Sequence, residues 1–399
     1  MARNQNQIFT LGPNYLKNIN DTKQLPLGQI VEVWNETEVT TEYILRQHYQ
    51  IFTKKYRPTL KPPNKTEIFQ ELDELEPISI DPSSDCQDID DALSYKYSYD
   101  GMYNKNKDGV QFNIHIAHPP YFLNENEIRN RISSITETLY PYNNNPIHLW
   151  GDQLTKLSSL EPGVKKPALT LSVRFVKYRK YEIRSVKLIP SIITNNKALS
   201  YQQAENDKDV QEMIKITQQI DFKGNYNSNI SNTKELVSLW MTFFNHYMGI
   251  HFKNLEKPIP YRHHQNKNTI ITKKNKLPTE INNAFNNRDL DSAEYSLTKF
   301  NHDTINKNYY THASSPIRRL TDCYVHLCVT YPKNNWINQN LIDKINQTNK
   351  RIKKYHKQME LLELIDNIND SEISDIYIYQ FKDHYCEGFN KQYGFLRFE

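Results

Sequence analysis

Cysteine is scarce in this sequence, whose 399 residues include four: Cys86, Cys323, Cys328 and Cys386. Four cysteines are too few for the disulfide framework of a secreted protein, and no C-x-x-C pair indicates a zinc site. Long apolar runs are also lacking, because none approaches the ~18 residues of a membrane-spanning helix. The first residues contain no apolar core typical of a signal peptide. These absences predict an intracellular, cytoplasmic protein without a membrane segment.

Positive charge is missing from one stretch of the chain. The net charge of the whole sequence is +4, too small an excess to indicate a nucleic-acid partner by itself. Between Lys65 and Lys96 there is no lysine or arginine, although ten acidic residues lie there. We therefore expect this stretch to contact something cationic.

Strand and helix patterns are mixed along the chain. Residues 78–81, 111–117, 168–176 and 181–189 alternate in the manner of strands. No regular strand–helix–strand rhythm connects them. The predicted fold class is therefore mixed α/β (α+β), rather than a doubly wound parallel sheet.

Three helices are predicted on the C-terminal side of these strands. Ser200 and Gln203 have the spacing of a capping box at the start of a helix over 201–220. An aromatic and aliphatic stripe over 236–248 indicates a core-facing helix, and residues 341–365 form a long closing helix. The polar stretch 263–283 predicts a long loop.

The acidic stretch concentrates five aspartates within eleven residues: Asp81, Asp85, Asp88, Asp90 and Asp91. Mutual repulsion disfavours such a cluster unless a cation is bound, and hard divalent ions prefer carboxylate oxygens. The alternatives are a solvated acidic loop, which is the more common fate of a charge run, or a calcium-binding turn.

A second segment, YYTHASSPIRR, brings two arginines together. Ser315 and Pro316 suit the start of a helix, which would put Arg318 and Arg319 in its first turn, where backbone amides and guanidinium groups both bind phosphate. A capped helix with surface arginines is an equally good interpretation of this segment alone. Combined with the acidic cluster, it suggests phosphodiester chemistry.

The segments DCQDIDDA and YTHASSPIRR resemble the two signatures of the ribonuclease II/ribonuclease R (RNB) family of exoribonucleases. Four further stretches between them follow the family's order, so the resemblance covers residues 66 to about 365. It implies a single large catalytic domain with a mixed sheet, surrounding helices and a central RNA channel. It also implies a magnesium-dependent enzyme, with manganese as the alternative ion, that hydrolyses single-stranded RNA from 3′ to 5′ and releases nucleoside 5′-monophosphates.

The resemblance also implies roles for individual residues. Asp90 resembles the most critical catalytic acid of the family, and Arg318 resembles the arginine that holds the scissile phosphate. The implied metal-binding acids are Asp81, Asp88 and Asp91, and the implied RNA-binding residues are Tyr140 and Tyr201. Arg319 joins the predicted RNA-binding residues because its guanidinium group suits a phosphate. For a tyrosine taken at random, core packing is the better interpretation.

Three positions depart from the family pattern. Asp81 lies seven residues before Asp88 where the family usually has six, so Asp85 is the alternative metal ligand. His118 stands where the family commonly has an acid, and a packed histidine there is favoured over a metal ligand. Glu360 lies near the family's acid on the closing helix, in an uncertain register.

The flanks are shorter than the small barrels that family members usually carry. Residues 1–65 are predicted to be a connector with the remnant of a cold-shock-like module, residues 66–370 the catalytic domain, and residues 371–399 an aromatic tail that forms a hairpin. Two other functions stay open: a catalytically weak RNA-binding or scaffold protein, and a phosphodiesterase that acts on DNA or small molecules.

Overall fold

The computed structural model describes residues 7–11, 30–35, 45–46, 48–51, 68–83, 86–98, 109–123, 127–128, 131, 135–177, 179–264, 293–332, 337–367, 377–382, 385–390 and 394–398. A seven-stranded mixed sheet forms its centre, with the strand order β3-β8-β7-β6-β5-β4-β9. Its strands are β3 (Gln70–Glu71), β4 (Ile78–Asp81), β5 (Asp91–Ser98), β6 (Gly109–Ala117), β7 (Lys165–Lys177), β8 (Tyr181–Thr194) and β9 (Lys197–Ser200). The four strands predicted from alternation all occur in it.

The sheet is antiparallel in its middle and parallel at its two edges. Strands β5 to β8 pair antiparallel in succession, whereas β3 pairs parallel with β8 and β9 pairs parallel with β4. In β6 every residue except Gln111 is buried, because other elements cover both faces of the sheet. On one face the Trp240 ring stacks on Phe112 at a centroid distance of 4.1 Å.

Among the helices whose bounds the structure describes, six surround the sheet. They are α1 (Gly151–Ser158), α2 (Tyr201–Ala204), α3 (Lys208–Gln218), α4 (Thr233–Asn254), α5 (Leu320–Thr330) and α6 (Gln339–Asn367). The capping box of Ser200 and Gln203 is confirmed, as is the closing helix α6. The single helix predicted over 201–220 is wrong, because Asp207 caps a new helix there by accepting from the backbone N–H groups of Asp209 and Val210.

Helix α5 begins at Leu320, four residues later than predicted. The backbone before it forms hydrogen bonds outside the helix. The Ile317 N–H donates to the Asp90 carboxylate, and the Arg318 carbonyl accepts from the Thr138 N–H. Arg319 forms an isolated antiparallel β-bridge with Glu137. Arg318 and Arg319 therefore lie in a turn ahead of the helix and not in its first turn.

Smaller sheets lie outside the central one. Strands β1 (Gln7–Leu11) and β2 (Ile30–Asn35) pair antiparallel, as do β10 (Tyr261–His263) with β11 (Glu294–Ser296) and β12 (Asn301–His302) with β13 (Lys307–Asn308). The tail forms a three-stranded sheet rather than a hairpin, from β14 (Tyr377–Lys382), β15 (Tyr385–Asn390) and β16 (Gly394–Phe398).

Two short 3₁₀ helices lie at Pro119–Tyr121 and at Asp303–Ile305. Most of the predicted loop 263–283 lies outside the described residues, and the predicted domain limits stay predictions. No helix in the described ranges has both the length and the apolar composition needed to cross a membrane.

Candidate active site

The aspartates lie at one end of two neighbouring strands of the sheet, β4 and β5. Strand β4 ends at Asp81 and β5 begins at Asp91, so the loop between them carries the rest of the cluster. Asp81 lies opposite Ser200 in the parallel pairing of β4 with β9, which puts Tyr201 at the same end of these strands. Asp85 lies outside the described residues, so its predicted role as a metal ligand stays a prediction.

Asp90 joins the two signature segments. Its side chain is 3% exposed, and its two oxygens accept from the Ile317 backbone N–H at 2.8 Å and from Arg318 Nε at 3.2 Å. Burial raises the pKa of this carboxyl, and the charge of Arg318 opposes that rise. The pairing of residues from the two segments therefore brings together the two residues predicted to be catalytic.

The other carboxylates of the cluster are poorly compensated. Burial, then the charges of Asp91 and Asp88, raise the pKa of Asp81 to about 7, and burial raises the pKa of Asp91 to about 6. The Oδ2 atom of Asp81 is buried without a hydrogen-bond partner. Asp88 accepts from the Tyr140 hydroxyl at 3.2 Å and from Cys86 Sγ at 3.3 Å.

These residues fit a hard divalent cation by their chemistry. Their donors are carboxylate oxygens, they repel each other, and one buried oxygen has no donor to bond with. Among the described residues, which exclude Asp85, no three acidic, histidine or cysteine side chains are already arranged around one metal position. The fit therefore rests on charge and donor type, and the assignment of metal ligands stays a prediction.

The two arginines have different surroundings. The Arg318 guanidinium is about half exposed, at 47%, and its Nη2 donates to Ser315 Oγ at 2.9 Å. Arg319 pairs with the buried Asp322 at 2.9 Å. Arg318 therefore lies where it can meet a phosphate beside Asp90, whereas the predicted RNA contact of Arg319 is untested.

Arg319 also lines a neighbouring cavity of about 760 Å³. Helix α6 supplies a row of lysines to this cavity, and Arg262 lies on its wall. Glu360, whose register was uncertain from sequence, lines it too. His356, which lines the cavity, accepts from the Tyr140 backbone N–H at 3.3 Å, and the Tyr140 hydroxyl donates to Asp88 of the cluster.

The two predicted RNA-binding tyrosines flank the cluster. Tyr140 is 44% exposed, and its ring lies 6.0 Å from that of His356. Tyr201 is half-buried below Lys234, and its pKa is raised by burial and then by Asp91 and Asp81. Both rings are thus beside the carboxylates, while base stacking on them stays a prediction.

His118 is fully packed, as favoured from the sequence, and its partners are His326 and Thr330.

Two other residues of the site were not singled out from the sequence. Asn245 and Asp322 hold the loop before Arg318 and went unrecognised. A usable signal existed for Asn245, because an asparagine inside the apolar stripe of a core helix needs buried partners.

Comparison with known proteins follows the same segments. A family model described as the RNB domain matches residues 69–221 and 205–335, which together are more than half of the chain. The chain belongs to the RNB-domain family.

Solved structures of this RNB-type fold are similar but distant in sequence. Mycoplasma genitalium RNase R in complex with ribose-methylated single-stranded RNA has a TM-score of 0.69 at 17% identity, over 92% of this chain and 71% of that one. An active-site mutant of the Dss1 exoribonuclease from Candida glabrata has a TM-score of 0.68 at 14% identity, over 89% and 52%. Yeast Ssd1, described as a pseudonuclease, has a TM-score of 0.69 at 14% identity, over 98% and 58%. A comparison with curated proteins finds no match.

Proposed function

We propose that this RNB-domain protein is a 3′-to-5′ exoribonuclease that hydrolyses single-stranded RNA to nucleoside 5′-monophosphates with the help of a divalent cation. The observation that carries the proposal is the contact of Asp90 with Arg318 at the meeting point of the two signature loops. A buried carboxylate there holds a half-exposed guanidinium beside three further carboxylates. Direction of cleavage and product type come from the family resemblance.

Asp81, Asp88 and Asp91 would hold magnesium or manganese, with Asp85 as the alternative to Asp81. When bound, such an ion supplies a water of lowered pKa and a positive charge beside the phosphate. Arg318 binds the phosphate and stabilises the negative charge that develops on its oxygens, because its guanidinium is exposed on one side and anchored on the other. Asp90 orients that guanidinium through Nε.

Single-stranded RNA is the substrate that the surroundings favour. Tyr140 and Tyr201 offer rings on which bases can stack without regard to sequence. The lysines of α6 along the adjacent cavity can neutralise phosphates of the strand. A thread of nucleotides through a channel would pass both features before its 3′ end reaches Asp90.

Incubation of the purified protein with 5′-labelled single-stranded RNA and magnesium tests the proposal. We expect a ladder of products shortened one nucleotide at a time, its absence with a chelator, and no cleavage by Asp90→Asn. A DNA strand of the same sequence is the control for a general phosphodiesterase. Release of internal fragments, or equal cleavage of DNA, would contradict the proposal.

A specific observation favours a second function, RNA binding without efficient cleavage. Both oxygens of Asp90 are already bonded within the protein, and the described residues form no preformed cation site. In that case the labelled RNA would stay intact with magnesium and show retarded mobility on a native gel.

A further inference from the structure

A chain of four buried polar groups ends at the loop that carries Arg318. The Thr330 hydroxyl lies 2.8 Å from His118 Nε2, His118 Nδ1 lies 3.0 Å from His326 Nδ1, and His326 Nε2 lies 2.7 Å from the Ala313 carbonyl oxygen. Both histidines are at most 1% exposed, so neither can contact RNA. Their role must therefore be exerted through the groups they bond.

The proton positions in this chain follow from its acceptor end. A carbonyl oxygen can only accept, so His326 Nε2 carries the proton and its Nδ1 is bare in the neutral ring. His118 must then donate from Nδ1, which leaves its Nε2 to accept from the Thr330 hydroxyl. Thr330 Oγ1 also lies 3.1 Å from the His326 carbonyl oxygen, so these two acceptors share its one proton. Burial lowers the pKa of both histidines, that of His326 to about 4, which agrees with two neutral rings.

The Ala313 peptide is held from its other side as well. Asn245 Oδ1 accepts from the Ala313 N–H at 2.8 Å, and Asn245 Nδ2 donates to Ser314 Oγ at 3.1 Å. Next along the chain, the Ser315 N–H donates to Asp322 Oδ1 at 2.8 Å. Ser315 Oγ in turn accepts from Arg318, which completes a path of bonded groups from the histidine pair to the guanidinium.

We propose that His118 and His326 form a neutral hydrogen-bonded pair that positions Arg318 against Asp90 by fixing the Ala313 peptide. The kinetic consequence rests on the proposed exoribonuclease function, whereas the proton positions and the Arg318 geometry do not. His118 and His326 are positioning residues, since neither reaches the solvent-exposed side of the site. Loss of the pair should lower kcat and leave KM nearly unchanged.

Two pairs of variants test the positioning role. His326→Leu removes the donor and the acceptor, whereas His326→Gln keeps one amide donor for Ala313 and one carbonyl acceptor for His118. His118→Leu and His118→Gln form the equivalent pair. With labelled single-stranded RNA we expect kcat to fall about 10- to 100-fold in the leucine variants and to be largely restored in the glutamine variants, with KM within about twofold.

A readout independent of activity separates this proposal from the proposed function. The Arg318 Nε–H is bonded to Asp90, so its NMR signal should exchange slowly in the wild type and in the glutamine variants, and rapidly in folded leucine variants. The nitrogen shifts of the two rings should report a proton on Nε2 of His326 and on Nδ1 of His118. Inactive wild-type protein with these signals would refute only the exoribonuclease function.

His118→Asp gives the sharpest test of the proton positions. A carboxylate at this position only accepts, so His326 must acquire a second proton to bond it while keeping its bond to Ala313. We expect His326 to become an imidazolium and the Arg318 Nε–H to stay protected. A His326 ring without a proton on Nε2 in this variant, opposite tautomers in the wild type, or an unchanged Arg318 signal in folded His326→Leu would overturn the proposal.

Discussion

The aspartate loop and the Arg318 loop meet at one ion pair, yet they differ in the charge that they collect. Before Arg318, backbone and side-chain groups of residues 313–315 are bonded by Asn245, His326 and Asp322. In the aspartate loop, Asp81 Oδ2 is buried without a partner, and the pKa values of Asp81 and Asp91 are raised. Arg319 Nε and Asp322 Oδ2 are also buried without a partner, so the loops differ mainly in charge: one collects carboxylates that repel each other, and the other carries two arginines.

This difference indicates where an external partner is needed. A buried polar group that lacks a bond costs free energy, so an excess of carboxylate oxygens is tolerable if a cation satisfies it in the working state. The arginine loop has no such cluster of carboxylates, because Asp322 is paired with Arg319, and hydrogen bonds to residues 313–315 hold the backbone that precedes Arg318. The difference is consistent with our proposal of a cation on the acidic side and a phosphate on the basic side.

Removal of the charge that joins the loops should have the largest effect. We expect Asp90→Asn to lower kcat for single-stranded RNA by about 10³-fold or more, because the amide is neutral and cannot accept at both of its atoms. RNA affinity should change little, since Asp90 is buried. The matched control is Asp152→Asn, an exposed aspartate on α1. Wild-type cleavage by Asp90→Asn would exclude this loop as the active site.

Substitution of Arg318 should lower kcat nearly as much as substitution of Asp90. Arg318→Lys keeps a positive charge but loses the planar group that bonds Asp90 and Ser315 together, so we expect kcat to fall about 10²-fold. Arg184→Lys, an exposed arginine on β8, is the control and should cleave like the wild type. Equal activity of Arg318→Lys and wild type would mean that charge alone suffices and that the rigid loop has no kinetic role.

The two loops also differ in how far sequence alone could predict them. Alternation predicted β4, β6, β7 and β8 but not β5, which begins at Asp91, and the aspartate cluster itself is local in sequence. The Arg318 loop was not predictable, because its backbone bonds to Asp90, Thr138 and Glu137, which are distant in sequence. A helix start at Pro316 was the best local interpretation, and long-range bonds displaced it.

The meeting of the loops was predicted from the family resemblance and not from periodicity. No spacing rule connects Asp90 to Arg318 across 228 residues. The helix break at Asp207 was missed for a different reason, since capping aspartates are hard to recognise inside a polar run. The stripe of α4 predicted its buried face correctly, but the partners of Asn245 on that face required the fold.

Divalent cations should change the pH dependence of stability. Asp81 and Asp91 have pKa values of about 7 and about 6, above the ordinary 3.8. Between pH 3.8 and these raised pKa values, the folded state therefore binds more protons than the unfolded state. The free energy of unfolding should then fall as pH rises from about 4 to about 7. Magnesium at neutral pH should raise Tm by a few degrees and have little effect near pH 4, where the carboxyls are protonated.

Thermal melts at several pH values with magnesium, and with potassium at equal ionic strength, measure this effect. Asp81→Asn is the informative variant: without magnesium its stability should fall less with rising pH than that of the wild type, and magnesium should stabilise it less. A magnesium response identical in Asp81→Asn and wild type would show that the cation binds elsewhere.

The smallest effects should come from Tyr140, whose side chain is 44% exposed and whose hydroxyl donates to Asp88. Tyr140→Ala removes the ring and should weaken RNA binding to the inert Asp90→Asn protein by about 1–3 kcal/mol, the usual contribution of one stacked base. Tyr140→Phe keeps the ring and loses only the hydroxyl that donates to Asp88, so affinity should change by less than about 1 kcal/mol. Titration of a labelled single-stranded RNA at fixed salt measures both, because phosphate contacts make affinity salt-dependent. If the phenylalanine variant lost as much affinity as the alanine variant, the hydroxyl bond to Asp88, and not the ring, would be what Tyr140 contributes to RNA binding.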